Sequence, residues 1–112
     1  AWTFADSVSA DFGSCTAAGI ATFDQTGSSL TGVIDATEGV CNWSDGGSDD
    51  NSGPVSLSSG MVTDSLVTFT AGICQFQSTS IAPDRIEGTE VCPVMALGRT
   101  FDLVGSFTLS RP

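Results

Sequence analysis

Phe101-Asp102-Leu103-Val104-Gly105-Ser106-Phe107-Thr108-Leu109-Ser110-Arg111 alternates without a break. In an extended chain successive side chains point to opposite faces. Phe101, Leu103, Gly105, Phe107, Leu109 and Arg111 therefore share one face, and Asp102, Val104, Ser106, Thr108 and Ser110 the other. The first face is interior. Period two dominates the rest of the chain, no stretch carries helical periodicity, and turn signals recur about every dozen residues, as in a sandwich or barrel. Eight strands are expected, at about 2–8, 17–25, 29–36, 54–62, 65–71, 73–81, 85–93 and 100–111, in a single domain over residues 1–112.

Three triplets, Leu30-Thr31-Gly32, Ile86-Glu87-Gly88 and Leu103-Val104-Gly105, set a glycine inside such alternation. Glycine weakens a flat strand and marks a bulge, a bend or a close backbone approach. A sheet that curls into a small barrel needs such bends repeatedly. The first strand offers Trp2, Phe4 and Asp6 on one face. If it pairs antiparallel with the last, Trp2 falls opposite Arg111 and Phe4 opposite Leu109. An even number of strands makes that closing pair antiparallel. The fold class is all-β: an eight-stranded antiparallel up-and-down barrel with two disulfides.

The four cysteines are Cys15, Cys41, Cys74 and Cys92. An even number in a small domain suits disulfides and an oxidising compartment. Zinc fits poorly, since the spacings of 26, 33 and 18 contain no knuckle and the chain has no His. In a hairpin centred on Ala82-Pro83-Asp84, positions 74 and 92 lie opposite each other, both nine residues from Pro83. Cys15 and Cys41 flank the hairpin built on Thr26-Gly27. The pairing is therefore expected to be Cys15–Cys41 and Cys74–Cys92.

Charge excludes several partners. Three Arg and no Lys stand against 13 acidic residues, a formal net charge of −10. A phosphate backbone needs Lys and Arg to neutralise it, so nucleic acid is excluded, and an anionic membrane surface is disfavoured for the same reason. No apolar run approaches the roughly 18 residues of a membrane-spanning helix. A chain opening Ala1-Trp2-Thr3 reads as a processed or trimmed product. Together with the cysteines it points to a secreted or periplasmic protein.

A leading Trp on strand one, meandering strands with Leu-Thr-Gly and a terminal Arg resemble the calycin superfamily of lipocalin- and avidin-like barrels. In that group a strand-one Trp is covered by an Arg from the last strand, and Trp2 and Arg111 match those positions. The segment Gln25-Thr26-Gly27-Ser28-Ser29-Leu30-Thr31-Gly32 resembles a hairpin common in small secreted bacterial barrels. The resemblance implies a carrier of a small apolar ligand. Biotin is not carried over, because avidin-type binding needs several aromatic walls and this chain has two Trp and no Tyr.

Catalytic chemistry finds little to work with. Without His or Lys there is no Ser-His or Ser-Lys system, and the thiols are spent on disulfides. Glu90 shares parity with Ile86 and Cys92; pointing inward its pKa would rise, whereas a bulge or rim position would keep it wet. No second acid is evidently placed to partner it as a glycosidase requires. The chain is expected not to be an enzyme.

The long loop at 42–53 carries Asp45, Asp49, Asp50 and Asn51, hard oxygen donors that make calcium the one candidate cofactor. Their spacing does not match an EF-hand, and a solvated turn-rich loop is the plainer reading. Residues 93–98 are expected to form an apolar connection. Its Val94, Met95 and Leu97 either plug one end of the barrel or form a partner-binding patch. Trp43 either anchors an interface or packs over the barrel mouth. Asn42-Trp43-Ser44 is formally a glycosylation sequon. Trp2 and Arg111 are structural, an indole under a guanidinium. Seven Phe would leave little volume inside a barrel of short strands. The functional expectation is a non-catalytic extracytoplasmic interaction module that binds a protein partner, such as an extrinsic subunit of a cell-envelope or membrane complex. Carriage of a small apolar ligand and calcium-dependent recognition are the alternatives.

Overall fold

The computed structural model describes residues 1–96 and 98–112. Nine strands lie among the described residues: β1 (Trp2–Ala10), β2 (Gly13–Thr26), β3 (Ser29–Trp43), β4 (Ser48–Asp50), β5 (Gly53–Val62), β6 (Val67–Ala71), β7 (Cys74–Ala82), β8 (Arg85–Ala96) and β9 (Arg99–Ser110). All except β4 form a closed ring of eight antiparallel strands, each paired with its neighbours in sequence and β1 paired with β9. The extra strand, β4, lies outside the ring and pairs only with the far end of β3. No helix is long and apolar enough to cross a membrane among the described residues.

The closing register is the expected one, with Phe4 opposite Leu109. On β9, Leu103, Phe107 and Leu109 are buried while Asp102, Val104 and Ser106 are exposed. The triplet glycines sit where backbones crowd. Gly105 pairs with both Val8 and Glu90, and a side chain there would run into the Ser7 carbonyl. Gly88 pairs with Phe107, and a Cβ on it would come 2.6 Å from that ring. Gly32 lies at a register shift between β3 and β5.

The lumen is filled by the chain itself. Phe69 and Phe76 stack with centroids 4.6 Å apart, and Phe107 packs edge-on against both. Phe4 closes on Phe76 at 6.1 Å. Ser78, buried beside them, accepts a hydrogen bond from the Val67 N–H at 2.8 Å, so this interior polar group is satisfied.

Both disulfides form as expected, Cys15–Cys41 and Cys74–Cys92. The route to the second differs from the symmetric hairpin. The turn is tighter, Pro83-Asp84 between paired Ala82 and Arg85, and a bulge at Thr79 restores the register that brings Gln75 opposite Val91. Likewise a bulge at Thr37 lets β2 and β3 run on beyond Ala17 and Ala36 until Cys15 faces Cys41. These two strands therefore reach 14 and 15 residues, longer than the alternation suggests.

Strand lengths make the barrel lopsided. β6 has 5 residues, whereas β8 and β9 have 12 each. The wall of β8, β9, β1, β2 and β3 stands tall at the disulfide end, and β5, β6 and β7 form a low wall there. The molecule is accordingly elongated, 44 × 26 × 21 Å. Of the residues expected to form an apolar connection at 93–98, those at 93–96 extend the tall wall as part of β8 instead, with Pro93 opposite Asp102, Val94 opposite Phe101 and Met95 opposite Thr100.

Candidate functional site

The tall wall carries most of the residues singled out for partner binding. Its inner face is a small second core of Val8, Cys15, Cys41, Cys92 and Leu103. Over this core Phe12, in the β1–β2 turn, stacks on Trp43 at 6.1 Å and tilts against Phe101 at 5.3 Å. Val94 packs on the same cluster. Trp43 and Val94 are thus half-buried and cap this end of the barrel. Met95 points the other way and is 76% exposed. On the same outer face Val104 is 53% exposed and pairs with the half-buried Val91, while half-buried Pro93 pairs with Asp102. Val91, Pro93, Met95 and Val104 form an outward apolar stripe along β8 and β9. Leu97 lies outside the described residues.

The segment expected as a loop over 42–53 is partly strand, the end of β3 and then β4 folded back on it, and its carboxylates act locally. Asp49 Oδ2 accepts from the Trp43 indole N–H at 2.7 Å, tying the loop to the aromatic cap. Asp45 Oδ1 accepts from the Gly47 N–H at 2.8 Å. Asp50 Oδ1 accepts from both the Ser52 N–H and hydroxyl, and these hydrogen bonds hold its pKa below the ordinary value. The bonds from the Gly47 and Ser52 N–H groups, each two residues on from its Asp, are Asx-type turn contacts. The acids are not drawn together: the group of acidic and cysteine side chains with ligand atoms within 4.8 Å among the described residues is Cys74, Glu90 and Cys92, elsewhere in the molecule. Asn51 stands at the rim of a different pocket, described next.

Glu90 points inward and is 1% exposed. Diagonally across β9 from it stands Asp6, on the inner face of β1 and half-buried: Glu90 is level with Val8 through Gly105, and Asp6 is two residues further along, level with Phe107. Burial first, then the neighbouring Asp6 carboxyl, pushes the Glu90 pKa up to about 10. Asp6 is also raised, because burial outweighs the stabilising contacts from Glu90 and the Ala17 backbone. Glu90 is therefore the member of the pair that keeps its proton at neutral pH. Glu90 Oε2 lies 3.2 Å from Cys92 Sγ, a disulfide sulfur with no hydrogen to give, so this contact favours a protonated oxygen. The Glu90 carboxyl shares a side-chain hydrogen bond with Asp6, and its Oε1 meets no donor among the described residues. A pocket of about 260 Å³ descends to these acids from the low wall, with Asn51, Gly72 and Ile73 exposed at its rim and Phe4, Ile34 and Phe76 along its sides.

This pair is what the sequence reading missed. It assigned Asp6 to the interior face and allowed Glu90 to point inward, but saw no second acid near Glu90. The two strands are not neighbours in the ring, and the residue of β9 paired with Glu90 is a glycine.

The opposite end is closed by Trp2 and Arg111. The guanidinium carbon of Arg111 sits 4.4 Å from the Trp2 ring centroid. Its Nε–H donates to Pro83 O at 2.8 Å, and its backbone N–H donates to Asp84 O at 3.0 Å. The pair therefore ties both terminal strands to the β7–β8 turn. Beside them lies a depression of about 540 Å³ walled by Trp2, Phe23, Leu30, Val67, Ile86 and Leu109, with Gln25 and Arg111 as polar members.

Comparison of this chain with family models, with curated proteins and with solved structures returns no match.

Proposed function

We propose that the chain is a non-catalytic extracytoplasmic interaction module of calycin-like type, docking on a protein partner as a secreted or periplasmic subunit of a cell-envelope or membrane complex. The observation that carries this reading is the outward apolar stripe of Val91, Pro93, Met95 and Val104 on a tall, disulfide-stapled wall. A contiguous exposed apolar patch marks a contact surface more often than scattered single residues do. Two disulfides are compatible with an oxidising compartment. With a net charge of −10 and Asp102 inside the stripe, the complementary surface is apolar with a basic rim.

The test is purification from the native host in mild detergent, followed by cross-linking of the recovered assembly. A stoichiometric partner cross-linked around β8 and β9, and lost in Met95→Asp and Val104→Asp, is the expected result. Recovery only as a free monomer, or cross-links confined to other strands, overturns the reading.

The 540 Å³ depression favours carriage of a small apolar ligand as a second reading, since ligand pockets typically span about 300–1,000 Å³ with mostly apolar walls. The aromatic lumen moves the ligand of that reading to the mouth. Native mass spectrometry that finds a bound small molecule, released by Phe23→Asp, supports it over docking.

A further inference from the structure

We propose that the pocket above Asp6 and Glu90 is a binding site for a small organic ammonium ion, its nitrogen held between the two carboxyl groups and its carbon chain lying along Phe4, Ile34 and Phe76.

Three independent features point to this chemistry. The first is an unfilled demand for a donor. Glu90 is 1% exposed, and beyond the hydrogen bond it shares with Asp6 its Oε1 meets no donor among the described residues. Buried oxygens are almost always partnered, and an orphan calls for an unfilled ligand position or a water. The second is an unfilled demand for positive charge. Asp6 carries a carboxylate half-buried in the barrel, and the other pocket-lining residues bring no cation. Apart from Asp6 and Glu90, no residue lining this pocket titrates, since Cys74 is disulfide-bonded. The third is the shape and polarity of the walls. About 260 Å³ admits a body of a few carbons, and the sides are aromatic and aliphatic.

An ammonium group answers all three. It brings N–H donors for Glu90 Oε1 and for Asp6, one positive charge for one carboxylate, and an apolar tail for the walls. Aromatic faces near such a cation add attraction. A metal ion fits less well. Calcium takes 6–8 oxygen ligands, and the only side chains here with oxygen to offer are Asp6, Glu90 and Asn51. The disulfide removes the thiolates that zinc would need. The acidic surface, net −10, raises the local concentration of any cation.

The experiment is an amide NMR titration of the disulfide-bonded chain at pH 7.5 and fixed ionic strength, with n-butylammonium as probe, 1-butanol as its neutral counterpart and calcium chloride as the metal control. Butylammonium should give saturable shifts at Ala17, Ala71 and Cys74 with a dissociation constant of order 1 mM, the range open to five heavy atoms. Butanol should bind at least about tenfold more weakly. Asp6→Asn should weaken butylammonium about tenfold or more, whereas Glu90→Gln, which keeps an acceptor oxygen, should bind within about threefold of wild type. Should Asp6→Asn not fold, acidifying the wild type until Asp6 is protonated must release the probe. Equal binding of butanol, undiminished binding by Asp6→Asn, retention of the probe in acid, shifts confined to Asp45–Asp50, or calcium shifting the pocket amides where butylammonium does not would each overturn the proposal.

Discussion

Glu90 on β8 is paired directly with Gly105 on β9, so the strand between the two interior acids contributes no side chain beside the buried carboxyl. The same glycine lies against the Ser7 carbonyl of β1. One position thus sets both the closeness of β1 to β9 and the space in which an acidic group can be accommodated.

Gly105→Ala is expected to destabilise the fold by about 1–3 kcal/mol, the usual cost of forcing extra atoms into a packed site. Urea denaturation should show a lower midpoint with an unchanged slope. A neutral effect would mean that β1 and β9 are less tightly apposed at Ser7.

The Glu90 carboxyl gives stability a distinctive pH dependence. Its pKa is about 10 when folded, against 4.5 as the ordinary value. Below the ordinary value both states are protonated and the group is neutral toward folding. As pH rises above it, the unfolded chain releases the proton and the folded chain keeps it. Stability therefore falls with rising pH, by at most about 1.4 kcal/mol per unit. Glu90→Gln removes this slope, so the variant should match wild type near pH 4 and exceed it by a few kcal/mol at pH 8. Chemical denaturation of both proteins at pH 4, 6 and 8 measures the difference, and a pH-independent difference would show the carboxyl to be solvated.

The bridges close loops of 26 and 18 residues. Loop-closure entropy assigns each about 3 kcal/mol. Replacing both cysteines of either pair by serine should lower stability by about 2–4 kcal/mol, with the Cys15/Cys41 variant also loosening the Phe12–Trp43 stack above it. Thermal unfolding gives the first quantity and Trp43 fluorescence the second.

Arg111→Ala deletes both the contact with the Trp2 indole and the hydrogen bond to Pro83 O. A cost of about 1–2 kcal/mol is expected, from roughly 0.5–1 for an exposed cation–π contact and about 1 for the hydrogen bond. Arg111→Lys should recover only part of it, because an ammonium cannot lie flat on the ring and reach the carbonyl together. Trp2 emission, read in a Trp43→Phe background, should shift in both variants.

What could be read from the sequence followed uninterrupted alternation. The β9 residues Phe101 to Ser110 run without a bulge, and they yielded both the interior face and the register that places Phe4 opposite Leu109. The disulfide pairs also followed, although for Cys74 and Cys92 the tight Pro83-Asp84 turn and the bulge at Thr79 offset each other. Bulges hid the rest. At Thr37 the extra residue breaks parity between Ala36 and Gly39, so β2 and β3 looked shorter than they are. Pro93 looked like the end of a strand, yet β7 begins only at Cys74, and above that level β8 has β9 as its one ladder partner. Proline is tolerated on such an edge. The Asp6–Glu90 pair lay beyond hairpin arithmetic because it spans a strand.

Thr3 and Ser110 are direct ladder partners, so β1 begins and β9 ends side by side at the pole of Trp2 and Arg111. A tether attached to either end holds the molecule by that pole and presents the opposite one, with Met95 at its outer edge, to whatever lies ahead. A short peptide joining the start of β1 to the end of β9 would turn the meander into an endless ring, one that could be cut open at the exposed Gly27-Ser28 turn without separating any paired strands.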